Sequence, residues 1–309
     1  MAAVCDPPVL HLRELTFAHR LNYGLRRVSP AEALNCAMDA PAAADVDVES
    51  LKRAINAVVG SHDPAGKINY EALRKSAAFE NFTNQIAALR TFDPLSLEDV
   101  NARKAFWINV YNALMIHAVI AYGVQRSIQE VPAVFDRAAY VIGGRRYSAN
   151  DIEHGVLRAN AGSPLVPGPQ FDKADPRRVQ IMPALDPRIH FALVCAAHSC
   201  PPVGVYQRDQ LDQQLDLAAR HFINSGQLVL ERATMTVKLS RLFAWYAADF
   251  GGRWFGLRDR SALVKFAVRY LADEELRTFI EAHLDRLHVR FLSYDWTLNH
   301  AFIVDDHER

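Results

Sequence analysis

TFDPLSLEDVNARKAFWINVYNALMIHAVIAYGV, residues 91–124, carries the strongest helix signal of the chain. Ser96 with Asp99 three residues later fits a capping box, and Gly123 fits a C-terminal stop, so a long helix is expected between them. Asn109 and Asn112 interrupt its apolar run of Phe106, Trp107, Tyr111 and Leu114. Three residues apart, they stand ~60° from one another on one face. Asparagine is a poor helix former, and here it is a buried polar group that needs partners. The pair can orient a catalytic histidine or donate amide N–H groups to an oxyanion. The plainer use is bonding to neighbouring backbone. His117 lies ~80° around from Asn109 and ~140° from Asn112, so it is expected as a satisfied helix histidine outside their site.

Upstream, LKRAINAVVG at 51–60 reads as a helix ended by Gly60, and HDPAGKINYEALRKS at 62–76 as a turn, an extended pair around Ile68 and Tyr70, and a helix. Residues 1–50, with Pro7, Pro8 and APAAADVDVES at 40–50, read as a loosely attached, partly irregular arm before a main domain at 51–305. Downstream, AAYVIGGRRYSA at 138–149 is a hairpin turning at Gly143-Gly144. Ser148 and Asp151 resemble a second capping box, opening a helix through Glu153 and Leu157. The proline-rich stretch 162–178 is a loop. RIHFALVC at 188–195 reads as the clearest strand, followed by the loop AAHSCPPVG at 196–204. An amphipathic helix at 207–226, a second hairpin at 228–240 and a mostly helical stretch from Leu242 to Leu287 complete the order. Trp245, Tyr246 and Phe250 at helical spacing read as core. Strands and helices do not alternate regularly. The expected fold is therefore α+β, a single domain with helices packed on a small, mainly antiparallel sheet.

The 309 residues hold 35 basic and 35 acidic side chains, for a net charge of zero. Overall disorder is excluded, and bulk charge gives no reason to expect nucleic acid or an anionic membrane as partner. Only a local basic patch would change that. No integral membrane segment and no continuous apolar signal core are expected. Four cysteines are too few for a disulfide scaffold, so a reducing, cytoplasmic compartment is the default. Phosphate-loop, nucleophile-elbow, dinucleotide and His-Glu-x-x-His motifs are absent, so no cofactor is expected. Arg145-Arg146 and Arg177-Arg178 read as solvated basic pairs.

Four segments together resemble the family called domain of unknown function 547: 105–120, YVIGGRRYSANDIEHGVLR at 140–158, DPRIHFALVCAAHSCPPV at 186–203 and SYDWTLN at 293–299. The resemblance spans about residues 60–300 and fixes the fold better than the reaction. A relation to papain-like or transglutaminase-like folds is an expectation attached to it. The chain departs from the family at Val194, Ala196 and Ala197, where a more polar pattern is expected, and at His198. These departures weaken any role for Cys195 or His198 and leave Cys200 untouched.

His190, Cys195, His198 and Cys200 invite a metal site, but side chains five apart on a strand face opposite ways, so none is expected. Cys200 with His190 is the more economical reading. A thiol held by Pro201 and Pro202 beyond a buried segment, a histidine base and a third group orienting that base are the parts of a cysteine nucleophile. The family motif places Glu153 where a carboxylate for His190 would come from; its plainer reading is a favourable charge in the first turn of a helix. His154 beside it is expected to be exposed. The candidate catalytic set is Cys200, His190, Glu153, Asn109 and Asn112. Two functions follow: a cysteine hydrolase or acyltransferase acting on an amide or thioester, or a noncatalytic module binding a protein or peptide partner.

Overall fold

A computed structural model describes residues 3–4, 15–36, 41–42, 45–164, 166–252 and 260–300. They fall into two compact units: Met1–Ala184 with Leu193–Leu211 and Trp296–Arg309, and Leu185–Ala192 with Asp212–Asp295. The class is α+β, with 51% of the residues helical and only small sheets.

In the first unit, helices run over Phe17–Arg26 (α1), Val48–Val59 (α2), Tyr70–Arg74 (α3), Ala77–Gln85 (α4), Val100–Tyr122 (α5) and Val134–Arg137 (α6). α5 is the axis of this unit. Every residue from Ala105 to Val119 is buried; α2 and α3 pack on α5, and Phe79 and Phe82 of α4 meet its His117. Its 23 residues are long and apolar enough to cross a membrane by length and composition, but 78% of that apolar window is buried inside the fold. A helix apolar all round is a core helix here. It starts one turn later than the capping box suggested. Asp93 caps a short 3₁₀ turn at Pro94–Ser96, and Asp99 itself caps α5, its Oδ1 accepting from the Ala102 N–H at 2.8 Å. Gly123 ends α5 in the left-handed region, as expected.

Ala3–Val4 (β1) pairs antiparallel with Glu32–Ala33 (β2), and Ala139–Ile142 (β3) with Arg145–Ser148 (β4). Gly143 and Gly144 turn the second hairpin at φ 55° and 73°, the two positive values a type I′ turn requires. The Ser148–Asp151 box is present, with Asp151 Oδ2 accepting from both the N–H and the Oγ–H of Ser148. The helix it opens, Asp151–Leu157, is a π-helix. Its Gly155 lies so close to the Phe171 ring that a Cβ would sit 2.3 Å from Cζ.

Two sequence expectations are corrected in this unit. Arg146 and Arg177, read as solvated, are fully buried. Each meets more partners than the surface offers: Arg177 pairs with Asp151 at 3.0 Å and Asp175 at 2.7 Å and lies over the Phe171 ring. Arg146 donates to the carbonyls of Glu32 and Asp136. His154, expected to be exposed, is buried with Arg158 Nη1 3.0 Å from its Nδ1. Within 1–50, the described residues carry α1 and β2, and Asn35 bonds the carbonyls of Ile86 and Val141. Cys36 is disulfide-bonded, and Cys195 and Cys200 are not.

The second unit holds helices Leu211–Phe222 (α7), Arg241–Trp245 (α8), Ser261–Val268 (α9) and Glu274–Ala282 (α10). Its sheet joins Leu228–Glu231 (β5), Thr236–Leu239 (β6) and His288–Phe291 (β7) in that order. β5–β6 is the expected antiparallel hairpin and β6–β7 is parallel. Phe191, Phe222, Phe243, Phe250 and Phe266 fill its core, and Trp245 and Tyr246 pack at its edge. The strand expected at 188–195 is absent. Asp186 caps a 3₁₀ turn at Pro187–Phe191, with Pro187 at its first position. An aspartate-proline start pre-sets a helical turn.

Candidate functional site

The residues nominated from sequence divide between the units. Asn109, Asn112, Glu153 and Cys200 lie in the first; His190 lies in the second.

α5 holds both ends of the Cys200 loop. Asn112 Oδ1 accepts from the Val194 N–H at 2.9 Å. Asn109 brackets Tyr206, its Oδ1 accepting from the Tyr206 N–H at 2.9 Å and its Nδ2 donating to the Tyr206 carbonyl at 2.8 Å. Both asparagines thus spend side-chain groups on backbone, satisfying polar atoms that would be costly if buried unpaired.

Between those clamps the loop is pinned from other sides. The chain returns at Trp296–His300, where the His198 N–H donates to the Thr297 carbonyl at 2.6 Å and the Asn299 N–H to the Ala196 carbonyl at 2.9 Å. The Tyr70 hydroxyl donates to Asn299 Oδ1 at 2.5 Å. Gly66, at φ 76°, touches Pro202 so closely that a Cβ would lie 2.7 Å from the proline Cβ. Ala196 adopts φ 68°, a left-handed conformation that costs energy for alanine and needs surroundings to impose it.

At the centre, the Cys195 N–H donates to Cys200 Sγ at 3.1 Å. Both cysteines are half-buried. A donor aimed at sulfur favours thiolate over thiol. Tyr70 lies close enough to feel both cysteines. Burial drives its phenol well above the ordinary value of 10, and Cys200 and then Cys195 push it further. Tyr70 and Asn299 were missed from sequence. In the SYDWTLN segment, Asp295 and Trp296 are the residues the sequence suggests for tying the chain back; the Ser127 hydroxyl donates to the Trp296 carbonyl at 2.8 Å, and Asn299 adds the bond to Tyr70.

Glu153 is buried, with Oε2 accepting from the Tyr111 hydroxyl at 3.2 Å. In the second unit, His190 is buried with Nε2 2.7 Å from Asp249 Oδ2. Its ring stacks on Tyr246, centroids 3.9 Å apart. A carboxylate only accepts, so the ring turns a protonated Nε2 toward Asp249. Asp249 was not singled out from sequence. It stands 59 residues beyond His190 in the motif-free stretch Tyr246-Ala-Ala-Asp249. Among the described residues, no three His, Cys, Asp or Glu side chains converge as a metal site would need.

Residues 94–223 match the family described as Protein of unknown function, DUF547. Three of the four segments that carry the resemblance, 105–120, 140–158 and 186–203, lie within that match, and 293–299 lies beyond it. No curated protein and no solved structure is similar enough to the chain to match it.

Proposed function

We propose that this DUF547-type chain is a cysteine-dependent hydrolase or acyltransferase acting on an amide or thioester, with Cys200 as its nucleophile. The observation that carries the reading is the Cys195 N–H donated to Cys200 Sγ in a loop fixed at both ends by Asn109 and Asn112. Such a loop holds a thiol in one place while leaving it half-exposed. We carry His190, whose Nε2 faces Asp249, as the proposed base for this thiol, a role that iodoacetamide labelling tests. Asn109 and Asn112 are positioning residues. Glu153, bonded by Tyr111, supports the π-helix side of the first unit, and the orienting carboxylate is that of Asp249.

The chemistry balances without a cofactor. The thiolate forms a bond to the carbonyl carbon, the scissile bond breaks, and the leaving amine or thiol takes the proton held by the imidazole. Water or an acceptor, deprotonated by the same imidazole, then releases the acyl group from sulfur.

Iodoacetamide labelling read by peptide mass spectrometry across pH tests this reading. Cys200 is expected to label several-fold faster than Cys195 near pH 6.5, and His190→Ala and Asp249→Ala to abolish that preference while the chain stays folded. Equal rates for the two cysteines, or a preference indifferent to His190→Ala, would leave the noncatalytic binding module as the better reading.

A further inference from the structure

α1 is amphipathic in the wrong direction for a helix resting on its own protein. Its inward side is polar and fully bonded. His19 Nε2 lies 3.0 Å from Gln170 Oε1, Asn22 donates to Asp136 at 3.2 Å, and the Tyr23 hydroxyl accepts from Arg146 at 3.3 Å. Its outward side is Phe17, Leu21 and Leu25, spaced four apart and exposed to 76%, 54% and 76%. At ~100° per residue these three occupy an arc of ~80°, opposite His19 and Tyr23.

Exposed apolar side chains scattered singly need no explanation, but a stripe along one helix face marks a contact surface. The charges around it say what it contacts. Arg20, Arg26 and Arg27 are all exposed, and no aspartate or glutamate occurs between Leu15 and Ala31. Arg137 adds a fourth guanidinium, donating to the Arg27 carbonyl at 3.3 Å. The chain as a whole is neutral, so this is a local cationic cluster, with Arg20 flanking the apolar stripe and Arg26 and Arg27 at the end of the helix. That pattern suits the boundary of an anionic bilayer, where the apolar side chains enter the acyl region and the guanidiniums meet phosphate and carboxylate headgroups.

We propose that the outer face of α1 docks on an anionic lipid surface, with Phe17, Leu21 and Leu25 inserted and Arg20, Arg26 and Arg27 against the headgroups. The inward polar bonds hold the helix to the protein and so present the stripe at a fixed angle. The attachment is peripheral and reversible, because three side chains are far less than a spanning helix. It is independent of the Cys200 chemistry.

Co-sedimentation of the full chain with vesicles tests it. Phosphatidylcholine vesicles containing about one-third phosphatidylserine are expected to pellet several-fold more protein than phosphatidylcholine alone. Raising salt from ~0.1 M to ~0.5 M should release much of it. Leu21→Asp should lower the bound fraction at least about tenfold, and Arg20→Gln with Arg26→Gln should remove the preference for phosphatidylserine. These side chains point away from the fold, so circular dichroism should be unchanged; should Leu21→Asp not fold, Leu25→Asn at the last turn gives the same reading. No pelleting with phosphatidylserine vesicles overturns the proposal, as does equal pelleting of the folded variant. A dimer in light scattering that Leu21→Asp dissociates, without vesicle binding, would assign the face to a second copy of the chain.

Discussion

The Cys195 N–H and Cys200 Sγ, five positions apart in the chain, meet at 3.1 Å. The two thiols are similarly half-buried, so exposure alone predicts similar reactivity, whereas the hydrogen bond singles out Cys200. Alkylation of the native chain without reductant should therefore modify Cys200 first and Cys195 more slowly. Cys36, being disulfide-bonded, should react only after reduction. Peptide mapping with two isotopic labels, one added before and one after reductant, reads all three. Native-state labelling of Cys36 would contradict the disulfide.

Asn109 and Asn112 hold opposite ends of the Cys200 loop, and their removal should be felt in stability and in Cys200 together. Asn112→Ala leaves the Val194 N–H without its side-chain acceptor, and Asn109→Ala strips both polar groups of Tyr206. Each buried group left unpaired costs about 1–3 kcal/mol, so Asn109→Ala should be the more destabilising in urea titrations. Both should slow Cys200 labelling relative to Cys195. Unchanged labelling in a folded Asn109→Ala variant would show that the clamp does not govern the thiol.

Much of this was readable in the sequence where local chemistry decides. The Gly143-Gly144 hairpin, the Gly123 stop and the Ser148–Asp151 box follow from residues within a few positions of one another. The strand expected at 188–195 failed because an apolar run states only that a segment is buried. Asp186 and Pro187 turn its first half into a 3₁₀ turn, and the Val194 N–H is met by Asn112, 82 residues away, which no local pattern reports. Arg146 and Arg177 failed for the same reason, since their carboxylate and carbonyl partners are gathered from several segments. In the candidate site, Cys200 could be singled out from its proline-fixed loop, and its half-buried place between two clamped ends is what the fold adds. Asp249, Tyr70 and Asn299 could not be singled out, because each is defined by a contact rather than a motif.

Gly66 should tolerate no side chain. Its φ of 76° disfavours any other residue, and a Cβ would lie 2.7 Å from the Pro202 Cβ and 2.8 Å from its Cα. Gly66→Ala must push the proline pair, and Cys200 beside it, out of place. The expected result is a loss of about 1–3 kcal/mol and a loss of the Cys200 labelling preference, while Gly144→Ala, with open space around its Cβ, should leave labelling intact. Preserved labelling in Gly66→Ala would show that the loop is not held from this side.

Arg177 is the buried counter-charge of the first unit. Burial by itself would raise the Asp151 carboxyl, but Arg177, Ser148 and Gln170 outweigh it and hold it below its ordinary value of 3.8. A carboxyl lowered in the folded state adds stability at neutral pH that fades as pH falls below about 4. Arg177→Met should cost about 3–5 kcal/mol at pH 7, because it leaves Asp151 and Asp175 buried without their cation. The double variant Arg177→Met with Asp151→Asn should recover part of that loss. No recovery would mean that charge pairing is not what Arg177 supplies.

His117 should set the stability of the chain on the mildly acidic side. It is buried on α5, with Nδ1 2.9 Å from the Tyr140 hydroxyl and the rings of Phe79 and Phe82 edge-on at 5.6 Å. Burial disfavours its charged form and pulls it from 6.5 down to about 4. In the unfolded chain the same imidazole takes a proton near pH 6.5, so between pH 6.5 and 4 the unfolded state binds more protons than the folded one. Its contribution is therefore complete above pH 6.5, shrinks as pH falls toward 4, and changes little below that. The span corresponds to a loss on the order of 3 kcal/mol. His117→Gln keeps a hydrogen-bonding group for Tyr140 and removes the titration. It should lower stability at pH 7, yet flatten the decline between pH 6.5 and 4 in urea unfolding followed by tryptophan fluorescence. A decline of the same slope in wild type and variant would move the acid sensitivity to another group.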